Sequence, residues 1–329
     1  MSLIPSSPNE PMKITVILCT YNRCRTLSKA LSSLAASVLP DSVSWEVLVI
    51  DNNSHDQTRE VVQEFCNQYP DHFRYLLVSQ SGKSFALNAG IRASQADVLA
   101  FTDDDITVDP YWLRNLTQNL SGEEWAGAAG KTILPHPFSP PTWLALDGPY
   151  GMAGILAPLF DRGDSPRELD WAPFGANMAY RKMMFEKYGF FRTDLGPTPD
   201  GQIPRFNEDT EFGRRLMSAG ERLSYEPSAI VYHPIHEERS GKDYILSWWF
   251  DFGRAGVREE AGHTGTEAGW QRMAQTTRAV LVVLPRMTLK WLLAFNPKRR
   301  FYCKCLVWKT LGQVLEIRRL SSSEGATRS

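Results

Sequence analysis

Val98-Leu99-Ala100-Phe101-Thr102-Asp103-Asp104-Asp105-Ile106 decides how this chain folds: an apolar run of strand length ends abruptly in three carboxylates. Carboxylates at the C-terminal edge of a parallel sheet stand where α/β proteins bind their ligands. An Asp-x-Asp pair there suits a hard divalent cation that also holds a substrate's phosphates. The same residues also read as a solvated acidic turn, with Asp109-Pro110 opening the next helix, so the flanking sequence has to choose.

Working toward the N-terminus, three more apolar runs precede it: Ile14 to Cys19, Trp45 to Ile50 and Phe73 to Val78. Each is followed by apolar residues at helical spacing, such as Leu27, Leu31 and Leu34, or Val61, Val62 and Phe65 behind a candidate cap at Ser54. Toward the C-terminus, Pro110 opens a helix through Trp112, Leu113 and Leu116. Alternating βαβα over residues 13–120 means a doubly wound, mostly parallel sheet. Residues 131–170, rich in Pro, Gly and Trp, read as a long loop region over one face. Phe174–Tyr180 and Ala229–Tyr232 read as short strands, and Glu208–Met217 as a helix with an acidic first turn. The expected organisation is a disordered start over 1–11, a catalytic domain over 12–239, an aromatic and basic helical extension over 240–320, and a frayed tail over 321–329.

The 329 residues are 43% hydrophobic and 22% charged, enough for a packed core, and the net charge of −1 argues against a nucleic-acid partner. Charge is uneven, however. Arg278 to Arg319 carries ten Lys and Arg against Glu316 alone, which points to an anionic surface as partner. Five cysteines without a C-x-x-C pair fit a reducing, cytoplasmic compartment and carry no zinc signature. Met1 to Met12 has no apolar core of a signal peptide, and no apolar segment approaches the roughly 18 residues of a spanning helix. The chain is expected at most at the inner face of the cell membrane, as a peripheral protein.

Three strand ends deliver polar residues to one sheet edge: Thr20-Tyr21-Asn22-Arg23, Asp51-Asn52-Asn53-Ser54 and Asp103-Asp104-Asp105. Asp51 can accept from a base or a ribose, and Tyr21 offers a ring for stacking, whereas Asn52 and Asn53 read as helix caps. The dinucleotide fingerprint is absent, since Thr20 to Thr26 contains no glycine. Ser81-Gly82-Lys83-Ser84 lacks the first glycine of a P-loop, where Leu77 stands. Lys83 is either a phosphate contact or a solvated lysine.

Val16–Arg23, Val49–Ser54, Gly82-Lys83-Ser84-Phe85-Ala86-Leu87-Asn88-Ala89-Gly90 and the Asp103–Asp105 triplet, four motifs within about 90 residues, together resemble the family-2 inverting glycosyltransferases. The resemblance extends more loosely to Phe174-Gly175-Ala176-Asn177 and Asn207-Glu208-Asp209, covering about residues 12–235. It implies a GT-A fold, a Rossmann-like sheet carrying a nucleotide-sugar site that uses Mn²⁺ or Mg²⁺. It implies that Thr20, Tyr21, Asn22, Arg23 and Asp51 contact the nucleoside and that Lys83 and Asp103 lie along the ribose and diphosphate, with Asp104, between Asp103 and Asp105, in the donor site as a helix-capping or supporting group. It further implies Asp105 as metal ligand, Asp209 as general base with Glu208 beside it, and Gly175, Ala176 and Asn177 at the acceptor. His233, at the end of Ala229–Tyr232, is either a further metal ligand, as in some family members, or structural. The implied partners are a UDP-, GDP- or dTDP-sugar donor and a carbohydrate or lipid-linked acceptor, in bacterial cell-surface polysaccharide or glycolipid synthesis.

Q-x-x-R-W and several spanning helices, expected of processive synthases, are absent, so a single addition is expected. A nucleotidyltransferase would want a glycine-rich basic loop after the first strand, which Thr20–Thr26 is not; a non-catalytic membrane scaffold of the same fold would not need Asp51, Asp103, Asp105 and Asp209 together. Tyr244 to Phe252 reads as a core helix in preference to a lid. From Arg278 to Phe295, helical projection puts Leu281, Leu284, Met287, Trp291 and Phe295 on one face, with Pro285 interrupting. Such a basic amphipathic segment, followed by Lys298-Arg299-Arg300, suits either a membrane interface or docking on the catalytic domain.

Overall fold

The computed structural model describes residues 11–264, 274 and 276–327, and they form two compact units. Residues 1–10 and 328–329, and with them most of the expected disordered start, lie outside the described residues.

The first unit comprises residues up to 135, 158–193 and 208–234. Its first half is the alternation read from sequence: β1 (Met12–Thr20), α1 (Cys24–Ala35), β2 (Val43–Asp51), α2 (Thr58–Gln68), β3 (Phe73–Leu77), α3 (Lys83–Ala93) and β4 (Val98–Asp103). β3, β2, β1 and β4 lie side by side, all parallel. Side chains alternate across the pleat and both faces are covered. Val16, Leu18, Val47 and Val49 join Leu27, Leu31 and Leu34 of α1 in one core, while Ile17, Leu48 and Ile50 pack with Leu87 and Ile91 of α3 on the other side. That two-sided burial makes these strands continuous apolar runs. Each leucine buried this way contributes about 1.5–3 kcal/mol.

Beyond Asp103 the sheet becomes mixed. The order continues from β4 through β8 (Met178–Arg181), β6 (Gly127–Ile133) and β9 (Leu223–Tyr232) to β5 (Thr107–Val108), with β7 (Arg167–Glu168) also on β9. β8 is antiparallel to both β4 and β6, and β6 is parallel to β9. α4 (Trp112–Thr117), α6 (Met183–Tyr188) and α7 (Glu208–Ser218) cover it, with the rings of Phe185 and Phe212 stacked at 4.3 Å. The register of β6 on β9 shifts after Gly130, where a side chain would meet the Ala229 carbonyl at 2.0 Å.

Several local expectations change. Ser54 does not cap α2: its hydroxyl accepts from Asn22 N, and the helix starts at Thr58, whose N–H donates to Asp56. The strand expected from Phe174 begins only at Met178, because Phe174–Asn177 form a turn closed by the Asn177 N–H on the Phe174 carbonyl. The stretch 131–170 is more ordered than a loop region, containing the end of β6, the helical turn α5 (Ala153–Leu156) and β7.

The second unit holds residues 136–157, 194–207 and 235 onward. Its long helices are α8 (Lys242–Thr264), α9 (Leu284–Leu292) and α10 (Pro297–Thr327). α8 and α10 cross at two glycines: a side chain at Gly253 would meet the Lys309 carbonyl at 2.1 Å, and one at Gly312 the Phe250 carbonyl at 2.0 Å. Ile245 and Leu246 of α8 are buried with Leu144, Leu156, Phe301 and Cys305, so the aromatic stretch is a core helix. α10 runs on through the serine-rich stretch expected to fray, Ser321 and Ser322 bonding back to the Ile317 and Arg318 carbonyls.

A π-turn over Ala279–Val283 precedes α9, sited where Pro285 removes a backbone donor. α9 lies on α10 with Trp291 and Trp308 edge to face at 6.4 Å. Leu284, Met287 and Trp291 face inward and are half-buried. Leu281 and Phe295, projected onto the same face, are instead 68% and 98% exposed. No helix among the described residues is long and apolar enough to cross a membrane.

Candidate active site

Every candidate site residue belongs to the first unit. Thr20 ends β1 in register with Asp51 at the end of β2, and both are buried. Asp51 accepts from Ser54 N at 2.8 Å and from the Tyr75 hydroxyl at 2.8 Å. Tyr75 was not foreseen. Burial, then the Asp51 carboxylate, pushes its phenol up to about 12, so it stays a donor and fixes Asp51. Tyr21 stands exposed at the strand end, free to offer a ring face. Asn22 adopts φ 53° and its side chain accepts from His55 N at 2.8 Å, which ties the β1 and β2 loops together. Arg23 reaches to 3.9 Å from Asp104.

Asn52 is not a helix cap but a staple. Its amide donates to the Val78 and Gln80 carbonyls at 3.3 and 2.7 Å and accepts from Gly82 N at 2.7 Å. Those bonds shape the turn at Gly82, whose φ of 127° favours glycine, and so set the start of α3. Lys83, the first residue of α3, then reaches Asp103 at 2.9 Å and Glu208 at 3.7 Å. Burial opposes the Lys83 charge, but the carboxylates of Asp103, Glu208 and Asp209 outweigh it and hold the ammonium well above its ordinary range. Glu208 opens α7 and is buried; burial, with Asp209 alongside, pushes its carboxyl up. Asp209 accepts from Gly175 N at 2.5 Å and from Thr210 N at 2.7 Å.

The remaining acceptor candidates divide. Gly175 bonds Asp209 directly, whereas Ala176 is buried and its carbonyl accepts from Thr102 at 3.2 Å. Asn177 spends its amide inside the fold, accepting from Trp112 Nε1 at 2.8 Å and donating to the Lys131 and Ala229 carbonyls across the β6–β9 irregularity.

In the acidic triplet, burial and then Asp105 push the Asp104 carboxyl up to about 6. Asp105 Oδ1 lies 3.7 Å from His233 Nε2, both side chains nearly fully buried. His233 Nδ1 is 2.8 Å from the Pro234 carbonyl, a contact a ring nitrogen makes only as an N–H donor, so a neutral ring turns its lone pair on Nε2 toward Asp105. Two such donors fit a divalent cation, whose adjacent ligands stand about 3 Å apart. No third His, Cys, Asp or Glu completes a cluster among the described residues, so a cation here would draw further ligands from phosphate oxygens and water. At the same strand end, burial pushes the Cys19 thiol up to about 12, which disfavours the thiolate.

A Rossmann-like half-sheet extended by antiparallel strands, with carboxylates at its edge, is the GT-A architecture. The mannosyltransferase PcManGT from Pyrobaculum calidifontis, solved in complex with GDP-Man and Mn²⁺, matches with a TM-score of 0.58 at 17% identity, covering 94% of this chain and 88% of that one. A family model for Glycosyl transferase family 2 matches residues 15–189, and the chain belongs to that family of glycosyltransferases. Among its relatives, the succinoglycan biosynthesis protein ExoM of Rhizobium meliloti is 27% identical over 80% of each chain. The glycosyltransferase AglE of Haloferax volcanii is 26% identical over 72% of this chain and 75% of its own.

Proposed function

We propose that this glycosyltransferase moves a single sugar from a nucleoside-diphosphate sugar to a hydroxyl of a carbohydrate or lipid-linked acceptor, inverting the anomeric carbon, in cell-surface polysaccharide or glycolipid synthesis. The observation that carries the reading is the chain of contacts Asp103–Lys83–Glu208, with Asp209 next to Glu208 and bonded to Gly175. It links the end of β4 to the start of α7 through one cation, which supports reading the two as the donor and acceptor sides of one cleft.

In the proposed reaction Asp209 takes the proton of the acceptor hydroxyl while its oxygen bonds the anomeric carbon. The bond from that carbon to the diphosphate oxygen breaks in the same displacement, the electron pair leaving with the diphosphate. Tyr21 and Asp51 hold the nucleoside, and Lys83 lies along the diphosphate. Asp105 and His233 would hold the divalent cation, whose charge offsets that developing on the leaving group. The Mn²⁺ and GDP-Man of the mannosyltransferase complex and the succinoglycan role of ExoM support the donor, metal and polysaccharide parts of the reading.

The test is thermal denaturation of the full chain with UDP-, GDP- and dTDP-sugars, each with and without Mn²⁺, followed by product analysis for the donor that binds. One nucleotide class is expected to raise Tm only when the cation is present and to be turned over with inverted configuration. A retained configuration, or donor binding indifferent to the cation, would overturn the mechanism.

A further inference from the structure

The segment from the π-turn to the start of α10 turns its apolar surface outward. Leu281, Leu289, Leu292 and Leu293 are 57–68% exposed, and Phe295, at the tip of the α9–α10 turn, is 98% exposed. That turn is built to hold its shape: Asn296 caps α10 by accepting from Arg299 N at 3.1 Å, and Pro297 starts the helix. Isolated exposed leucines need no explanation, but a run of large apolar side chains along one helix and over its tip does.

The chemistry around the patch narrows what covers it. Arg278, Arg286, Lys290, Lys298, Arg299 and Arg300 are all exposed, and no Asp or Glu occurs between Arg278 and Glu316. A second copy of this surface would bring like charges together, so the patch does not suit self-association. A partner both apolar and anionic does suit it. We propose that the outer face of residues 281–295 and the tip at Phe295 dock on an anionic lipid bilayer, the leucines and Phe295 entering the acyl boundary and the flanking cations meeting the headgroups. The face is the opposite of the one that packs on α10, so docking needs no unfolding of the helical hairpin. The inference rests on this surface and not on the proposed reaction, and vesicle binding is read without donor or acceptor.

The test is co-sedimentation of the full chain with phosphatidylcholine vesicles, with and without phosphatidylglycerol, over a range of salt. Partitioning is expected to be much stronger with phosphatidylglycerol and to fall as salt rises. The Leu293→Asp/Phe295→Asp variant is expected to lose binding to both vesicle types with its thermal melt unchanged. The Lys298→Ser/Arg299→Ser/Arg300→Ser variant is expected to lose roughly a hundredfold in affinity for anionic vesicles only, at about a factor of five per basic residue. Indifference of the wild type to phosphatidylglycerol, or of the apolar variant to its substitutions, would overturn the proposal. So would a dimer in gel filtration that the same apolar substitutions dissolve while no vesicle binding is seen.

Discussion

Lys83 Nζ lies 3.7 Å from Glu208 Oε1, joining the first turn of α3 to the first turn of α7. The ammonium is also 2.9 Å from Asp103, so one half-buried cation stands between carboxylates of two distant elements. Breaking such an arrangement from the cation's side leaves like charges facing each other in a poorly solvated place.

Lys83→Met is therefore expected to destabilise the protein by about 3 kcal/mol at pH 8. The loss should shrink toward pH 5. Burial already raises the Glu208 carboxyl, and without Lys83 it rises further. In acid the folded state then holds a proton that relieves the repulsion; as pH climbs through the raised value that proton is lost and stability with it. Urea melts at both pH values check this, and an equal loss at each would contradict it.

Asp104 carries a separate pH signature. Its carboxyl titrates near 6 in the fold, against about 3.9 in an unfolded chain. Between about pH 4 and 6 the native state binds the extra proton, so stability contributed by Asp104 is present in acid and declines as pH rises. Asp104→Asn is expected to be more stable than the wild type by about 3 kcal/mol at pH 7.5 and nearly equal to it at pH 4. Thermal melts in a chelating buffer, which keeps cations off Asp105, measure the difference.

The two carboxylates proposed as base and metal ligand, Asp209 and Asp105, should separate cleanly. Asp209→Asn keeps the size of the side chain and is expected to lower kcat by at least about a thousandfold while leaving donor Kd unchanged. Asp105→Ala is expected to weaken donor binding in Mn²⁺ and to leave the weaker metal-free binding as it was. Calorimetric titration of donor into both variants checks the pair, and equal loss of binding in both would contradict the roles.

Asn52→Ala removes three hydrogen bonds to the turn that launches α3. A stability loss of about 2 kcal/mol is expected. Because Lys83 follows that turn, donor affinity should fall as well, although Asn52 itself need touch no ligand. A variant with lost stability and unchanged donor Kd would show the turn and the lysine to be independent.

In the helical unit, Glu316 is fully buried and accepts from Arg254 Nε at 2.8 Å and from Arg258. Arg254 also donates to the Gly201 and Gln202 carbonyls at 3.1 and 2.6 Å, so the pair clamps the 194–207 segment to α8 and α10. Arg254→Met is expected to cost about 3 kcal/mol, because buried Glu316 then keeps only Arg258 as its cation. Hydrogen exchange in 194–207 should rise in this variant.

The sequence by itself determined the α/β alternation and its strand ends, because burial on both faces writes strands such as Val16–Leu18 and Val47–Ile50 as plain apolar runs. It also carried the motifs from Val16 to Asp105 that resemble the glycosyltransferase family the chain belongs to. Only the tertiary structure decided partnership. That Asn52 staples a turn rather than capping a helix, that Asn177 bridges β6 to β9, that Tyr75 lies against Asp51, and that Lys83 spans Asp103 and Glu208 all depend on residues far apart in the chain. The outward face of α9 was likewise undecided by periodicity: a helix with leucines on several sides buries whichever side its neighbour covers, and here the neighbour is α10. Local pattern records how often a side chain is apolar; contact between distant segments decides which of those side chains, and which charges, meet.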